Sequence, residues 1–226
     1  MRIKSTIAAA ALISSLLGTT ASAETLRYAF QGTLNQLDPY SLNETFTLGT
    51  LGNVYEGLTR RAPDLTIEPA LAERWEVLEP TRWRFYLRKG VKFHNGNDFT
   101  ADDVVFSAER IRSEGSDLTT RIGADVKVEK VDDHTVDFVL TGPNPILHYE
   151  WDTWYIMDKE WTEANNATKV TSASDTAPNY ASLHANGTGS YKLVSHEPGV
   201  RTTFEKNENW WDKVAGNIDK VEFTPI

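Results

Sequence analysis

The sequence predicts a mixed fold of helices and strands, of the α/β (mixed α+β) class, and three patterns carry that prediction. Residues 83–87 alternate Trp, Phe and Leu with Arg and Tyr, which is the period of a half-buried strand. Residues 100–103 read Thr-Ala-Asp-Asp and have the spacing of a helix capping box. Residues 126–131 and 135–140 form two strand patterns around an Asp-Asp-His turn. Because strands and helices do not alternate in sustained βαβ units, a regular parallel sheet is not expected.

The first part of the chain is expected to hold two strands and two helical segments. Residues 25–30 have a short strand pattern. Apolar residues at positions 51, 54, 55 and 58 share one helix face, which predicts a first helix over 46–58. Residues 71–73 follow a proline and favour a helical turn, and residues 75–77 open the next strand. These elements lead into the alternating strand at 83–87.

The second part is expected to begin with a helix and end with three strands. The capping box starts a helix that continues through residue 111. Residues 162–188 are rich in Asn, Thr, Ser and Ala with little periodicity, which predicts a long surface excursion. Strand patterns return at 191–195, 201–206 and 221–223. Trp83, Phe85 and Leu87 are expected to form one buried face.

Composition excludes several classes of protein. The 226 residues contain 23 basic and 32 acidic side chains, so the net charge is −9 and no basic stripe for nucleic acid is present. The sequence has no cysteine, which rules out disulfides, thiolate metal sites and cysteine nucleophiles. No apolar run approaches the roughly 20 residues that a membrane span needs, so membrane insertion is not expected.

Residues 1–23 are expected to be a cleavable signal peptide. Arg2 and Lys4 precede a short apolar run, and Ala21, Ser22 and Ala23 fit the small-x-small cleavage pattern. Cleavage there starts the mature chain at residue 24. The sequence therefore predicts an exported, periplasmic protein.

No catalytic, metal or cofactor site is predicted. The five histidines are scattered and none pairs with another at helical spacing. Asp102 and Asp103 point to different faces of a helix and are better explained as capping residues than as an acid/base pair. Residues 187–189 read Gly-Thr-Gly without the spacing of a phosphate-binding loop, and no G-x-S-x-G elbow is present. An aromatic stretch at 149–161 is explained either by core packing or by a stacking surface for a ligand.

Eight short segments of the chain form one ordered series. Among them, residues 55–58 read YEGL, residues 83–96 read WRFYLRKGVKFHNG and residues 207–211 read NENWW. The complete set is 37–39, 55–58, 69–76, 83–96, 99–107, 131–136, 187–193 and 207–211. Taken singly these segments are weak signals, but together they cover the chain from residue 24 to residue 226. In this order they resemble the bacterial extracellular solute-binding proteins of family 5, the peptide receptors of ABC importers.

The resemblance implies a periplasmic binding protein-like fold, type II-like, in which a ligand is held between two lobes. Residues 24–226 are then the N-terminal lobe with its mixed sheet, and the second lobe is missing. The implied function is capture of di- or oligopeptides, as a monomer without catalysis or cofactor, for delivery to an inner-membrane ABC permease. One departure is Ser190, where the family has Pro or Ala.

The resemblance also implies a ligand-facing segment. Alignment from residues 37–39 places Asn43, Glu44 and Thr45 on extended chain before the first helix, where backbone groups can pair with a peptide as an added strand does. Thr45 is equally suited to cap that helix. Trp154 and Tyr155 are the expected aromatic contacts.

Two other functions remain open from the sequence. A receptor for opines or oligosaccharides within the same family is favoured by the aromatic stretch at 149–161. An exported glycoside hydrolase requires two carboxyl groups roughly 5 to 10 Å apart in a cleft. The acidic residues here fall mostly in turns, caps and exposed strand positions.

Overall fold

A computed structural model of the protein describes residues 24–226, so the expected signal peptide at 1–23 lies outside the described residues. Five helices and ten strands alternate irregularly along the described chain. In chain order they are β1 (Glu24–Phe30), α1 (Thr45–Leu51), β2 (Thr59–Arg61), β3 (Ile67–Pro69), β4 (Ala72–Glu79), β5 (Arg82–Leu87), α2 (Ala101–Arg110), β6 (Lys127–Asp132), β7 (Thr135–Val139), α3 (Leu147–Glu150), α4 (Lys159–Ala164), α5 (Tyr180–Leu183), β8 (Tyr191–Glu197), β9 (Arg201–Lys206) and β10 (Ile218–Pro225). The predicted mixed class is confirmed.

One four-stranded sheet joins the two ends of the described chain. Its strand order is β1-β10-β9-β8, with β1 parallel to β10 and the other pairs antiparallel. Tyr28 on β1 lies opposite Phe223 on β10, and their rings are 5.1 Å apart. The first strand is therefore held by the last.

A second four-stranded sheet, β4-β5-β7-β6, is antiparallel throughout. Trp83, Phe85 and Leu87 on β5 are all buried, as the alternation predicted. On the opposite face Arg84 forms two hydrogen bonds with the carboxylate of Asp137 on β7, at 2.7 and 2.9 Å. Strands β2 and β3 form a separate antiparallel pair.

The capping box of α2 is confirmed. The Thr100 hydroxyl accepts a hydrogen bond from the Asp102 amide, and the Asp103 carboxylate accepts one from the Thr100 amide at 2.8 Å. Asp102 instead bonds to Lys130 on β6. The two aspartates thus serve separate structural roles, consistent with capping.

The first helix is shorter than predicted. It ends at Leu51, yet Val54, Tyr55 and Leu58 beyond it are buried as the helical pattern required. The helix does not continue past Gly52 because the carbonyl groups of residues 53 and 54 accept hydrogen bonds from a distant segment of the chain. The Val54 carbonyl accepts a hydrogen bond from the Gly189 amide, and the Asn53 carbonyl accepts one from the Tyr191 amide.

The close crossing at residues 53–54 and 187–189 explains the Gly-Thr-Gly sequence. A Cβ atom at Gly187 would lie 2.0 Å from the Val54 carbonyl oxygen, and one at Gly189 would lie 2.5 Å from the Asn53 carbonyl oxygen. Only glycine permits this approach. The prediction of a plain turn into the next strand is therefore incomplete.

The predicted helical turn at 71–73 is wrong. Ala72 begins β4, where it lies opposite Leu87 on β5. The Leu71 amide donates to the Gly57 carbonyl, and the Leu71 carbonyl accepts from the Arg88 amide. These long-range bonds take the groups that a helical turn would use.

The segment 162–188 is also more embedded than predicted. Ala167, Ala181 and Ser182 are fully buried, and α5 lies within it. Asp158 at the start of α4 anchors the end of the segment, because its Oδ2 accepts from the side-chain amide of Asn186 at 2.9 Å. The same oxygen accepts from the amides of Asn95 and Asn97, both at 2.9 Å. A buried carboxylate thus joins three segments.

Candidate ligand-binding surface

Asn43, Glu44 and Thr45 form an exposed strip immediately before and at the start of α1. Glu44 has extended backbone angles (φ −135°, ψ 134°), as the predicted strand-like segment requires. Asn43 is fixed by a hydrogen bond of 2.7 Å from its amide to the Asp117 carboxylate. Glu44 is therefore extended and Asn43 is held in place, but Thr45 is already the first residue of α1, so the prediction that Thr45 lies on extended chain before the helix is wrong.

The cap of α1 is Glu44 and not Thr45. The Glu44 carboxylate accepts from the amides of Phe46 and Thr47 at 3.2 and 2.9 Å, and from the Thr47 hydroxyl at 2.6 Å. The hydrogen bond from the Thr47 hydroxyl is the main reason that the pKa of Glu44 is lowered. Because capping falls to its neighbour, the side chain of Thr45 remains available at the surface.

Two adjacent backbone donors on this strip are unused. Among residues 24–226, the amides of Glu44 and Thr45 have no hydrogen-bond acceptor. The Glu44 carbonyl already accepts from the Leu48 amide. The strip can therefore offer amide donors to an extended ligand.

An apolar cavity of about 550 Å³ adjoins the strip. It lies between α1 and the sheet face of β1, β10 and β9, and Thr45 and Phe46 form part of its wall. Phe46 stacks on Phe30 with ring centroids 4.6 Å apart. The remaining wall consists mainly of apolar side chains of the sheet, Leu26, Tyr28, Phe204, Ile218 and Val221.

The structure does not bring Trp154 to this surface. Trp154 is fully buried, and its ring packs edge-on against Phe138 and Trp151. It therefore belongs to the core, and the expected aromatic contact with a ligand is wrong for this residue. The aromatic stretch at 149–161 is explained largely by packing.

Tyr155 holds helix α1 in place through a buried hydrogen bond. It is 7 % exposed, and its hydroxyl donates to the Leu48 carbonyl of α1 at 2.8 Å. Its own carbonyl accepts from the Tyr40 hydroxyl at 2.6 Å. Burial raises the pKa of the Tyr155 phenol to about 12, so the phenol keeps the proton that it donates. Tyr155 thus fixes the helix that carries Thr45 and does not face a ligand there.

Asp117 is the residue at this surface that the sequence reasoning missed. It lies in the loop after α2, and its backbone amide donates to the Tyr40 carbonyl while its carboxylate holds Asn43. A single aspartate between Ser and Leu in a loop carries no distinguishing pattern. Only the fold shows that it faces the strip.

The histidines of the described chain are dispersed. His94 bonds to the Gly189 carbonyl at 3.0 Å, and burial lowers its pKa to about 4. Within residues 24–226, no three His, Asp or Glu side chains are grouped as metal ligands. No helix in that same range is long and apolar enough to cross a membrane.

Comparison with known proteins identifies the family. The sequence model described as "Bacterial extracellular solute-binding proteins, family 5 Middle" matches residues 66–226, which is more than half of the chain. The chain belongs to this family. The members are substrate-binding proteins, and the predicted resemblance and fold class are both confirmed.

Similar proteins include receptors for different ligands. The dipeptide-binding protein of Escherichia coli K12 is 30 % identical over 244 aligned positions, which cover 94 % of this chain and 43 % of the relative. The solved structure of DppA from Helicobacter pylori, in complex with the peptide STSA, is 26 % identical with a TM-score of 0.74, covering 90 % of this chain and 43 % of that one. MoaA of A. tumefaciens R10, solved with mannopinic acid, is 26 % identical with a TM-score of 0.78, covering 91 % and 41 %. The chain thus spans less than half the length of these family members.

Proposed function

We propose that this chain acts as the first lobe of a periplasmic receptor that captures short peptides and delivers them to an inner-membrane ABC permease. The proposal is supported by similarity to a dipeptide-binding protein and to a receptor solved with a tetrapeptide. The sequence pattern of a signal peptide at 1–23 supports export. The second lobe would close over the ligand about a hinge, and the working receptor would be a monomer.

The pair of unused amides at Glu44 and Thr45 carries the peptide assignment. Peptides held as an added strand gain affinity from main-chain hydrogen bonds, and side-chain pockets add specificity. The amides of the extended Glu44 and of Thr45 at the start of α1 supply the donors, and the apolar cavity beside Thr45 supplies space for a side chain. Asn43, Glu44 and Thr45 are therefore the proposed ligand-contact residues of this lobe.

An opine receptor is the second candidate. It is supported by the TM-score of 0.78 to MoaA, which was solved with mannopinic acid. Calorimetry of the full-length gene product with a dipeptide, the tetrapeptide STSA, mannopinic acid and cellobiose separates the candidates. Peptide binding at least about tenfold tighter than the others, about 1.4 kcal/mol, is expected. Preference for mannopinic acid or cellobiose would reject the peptide assignment.

The strip itself is tested by Thr45→Pro in the full-length gene product. Proline at the first position of a helix is well tolerated, and the extended Glu44 suits the residue before a proline. The substitution removes the Thr45 amide donor and leaves the helix intact. We expect peptide affinity to fall at least about tenfold (about 1.4 kcal/mol) with an unchanged melting curve.

The matched control is Thr45→Val. It removes the hydroxyl and keeps the amide donor, so peptide affinity should stay within about twofold of the parent value, a change of about 0.4 kcal/mol. Unchanged affinity in the proline variant would show that the strip is not the peptide-binding edge.

A further inference from the structure

A second cavity, of about 490 Å³, lies near the other end of α1. Its wall includes Gly52 after the helix, Arg60 and Arg61 of β2, Thr153 and Trp210. It shares no lining residue with the apolar cavity beside Thr45. The two cavities are neighbours, because Asn53 and Tyr191 line the first and Gly52 and Ser190 line the second.

Glu56 on the wall of this second cavity is a buried carboxylate with one uncommitted oxygen. The residue is 8 % exposed. Its Oε2 accepts from the Thr188 hydroxyl at 2.8 Å and from the indole N–H of Trp211 at 2.9 Å. Among the described residues, Oε1 has no hydrogen-bond donor and Glu56 has no salt-bridge partner. A buried carboxylate normally has a cationic partner.

The two arginines of the wall are already paired with other carboxylates. Arg60 donates to Glu68 at 2.9 Å and to Asp212 at 3.0 Å. Arg61 donates to Asp152 at 2.7 Å. Glu56 is therefore the lining carboxylate whose charge these arginines do not neutralise by direct contact.

Two further polar atoms on the same wall lack partners in the part of the chain that the structure describes. The indole nitrogen of Trp210 and the hydroxyl of Thr153 are both buried without a hydrogen bond. Trp210 lies close enough to Glu56 to lower the pKa of that carboxyl, against the larger rise caused by burial. The guanidinium of Arg88 lies over the ring of the next residue, Trp211, at 3.9 Å from the ring centroid. Because the Trp210 nitrogen and the Thr153 hydroxyl have no accessible surface, what the wall presents to the cavity is the Glu56 carboxylate and the aromatic ring of Trp210.

We propose that this second cavity binds a small organic ammonium compound. The ammonium group donates to Glu56 Oε1 and packs against the Trp210 ring, which is a favourable cation–π arrangement. None of Asn43, Glu44 and Thr45 lines this cavity.

Ethanolammonium is a suitable probe, and ethylene glycol is its uncharged counterpart. Indole N–H signals of the ¹⁵N-labelled full chain are recorded during titration with each compound at constant ionic strength. The Trp210 signal is assigned with Trp210→Phe. We expect a saturable shift of that signal with ethanolammonium and none with ethylene glycol.

Glu56→Gln tests the charge. Glutamine keeps an acceptor for Thr188 and Trp211, so the fold should persist, while the ammonium loses its counter-ion. Calorimetry should show affinity for ethanolammonium reduced at least about tenfold, equivalent to about 1.4 kcal/mol. Glu160→Gln, an exposed residue with the same charge change, is the matched control and should bind as the parent does.

Three results would overturn the site. These are equal shifts with ethylene glycol, equal weakening by Glu160→Gln, or unchanged affinity in Glu56→Gln. If Glu56→Gln fails to fold, Trp210→Leu decides, since it leaves both hydrogen bonds of Glu56 in place. A loss of about fivefold (about 1 kcal/mol) is expected in that variant, and unchanged affinity rejects the proposal.

Discussion

Arg110 at the end of α2 and Asp38 in the loop after β1 form an ion pair whose side chains are both 0 % exposed. Arg110 Nη1 lies 2.9 Å from Asp38 Oδ1, and Nη2 contacts Oδ2, so the pairing is bidentate. The guanidinium also donates to the Ala167 carbonyl at 2.9 Å. One side chain therefore ties together three segments far apart in the sequence.

Replacing Arg110 by Met should destabilise the protein by about 3–5 kcal/mol, because Asp38 is left as an unpaired buried charge. Urea unfolding measures the loss. The double variant Asp38→Leu with Arg110→Met should regain most of it, since no buried charge remains. A double variant as unstable as the single one would assign the loss to packing instead.

Leu87→Ala should cost about 2–5 kcal/mol, because Leu87 is 1 % exposed and its truncation leaves a cavity. Val77→Ala on the neighbouring strand β4 is the control. Val77 is 53 % exposed, so its loss should be within about 0.5 kcal/mol. Similar losses for the two variants would contradict the assigned buried face.

Glu44→Ala should destabilise the protein by about 1 kcal/mol, since it removes the acceptor for two amides at the start of α1. Thr45→Ala should change stability by less than about 0.5 kcal/mol, because Thr45 is exposed and does not cap. Chemical denaturation of both variants checks the assignment. The reverse order of losses would make Thr45 the cap.

Burial raises the pKa of the Asp103 carboxyl to about 6, with a further contribution from the nearby charge of Asp158. The folded protein therefore binds this proton more tightly than the unfolded chain, where the carboxyl titrates near ~3.9. The contribution of this group to the free energy of unfolding is fully present below about pH 4, and it is lost as the pH rises through about 6.

Asp103→Asn stays neutral, so its stability relative to the parent protein should rise by about 2 kcal/mol as the pH goes from 4 to 7. Urea midpoints at both pH values give this difference. Asp102→Asn is the control, because it makes the same substitution at an exposed position, where the carboxylate pairs with Lys130. A parallel pH dependence of Asp103→Asn and the parent would contradict the raised pKa.

The strands were predictable because their information is local. The alternation at Trp83, Phe85 and Leu87 is a property of adjacent residues, and the structure confirms it. The length of α1 was not predictable in the same way. Its end depends on hydrogen bonds from Gly189 and Tyr191, which are more than 130 positions away and leave no trace in the local pattern.

The candidate site was likewise predictable only in part. The position of Asn43, Glu44 and Thr45 came from family resemblance, and the free amides became visible only once the cap was assigned to Glu44. Periodicity cannot distinguish a tryptophan in the core from one on a surface, so Trp154 was misplaced. Asp38 and Arg110 are 72 positions apart, and neither has a local signal that indicates its partner.

The parallel pairing of β1 with β10 constrains when the sheet can form. Glu24 pairs with Ile218, so the first strand has no neighbour within the described chain until the ribosome has added all the residues between them. At a synthesis rate of about 5–20 residues per second, that delay is on the order of 10 to 40 s. During it Leu26 and Phe30, which remain partly exposed even in the folded protein, lie on an unpaired edge. A polypeptide built this way cannot complete this sheet before β10 has been synthesised, and disrupting β10 would leave β1 without its neighbour.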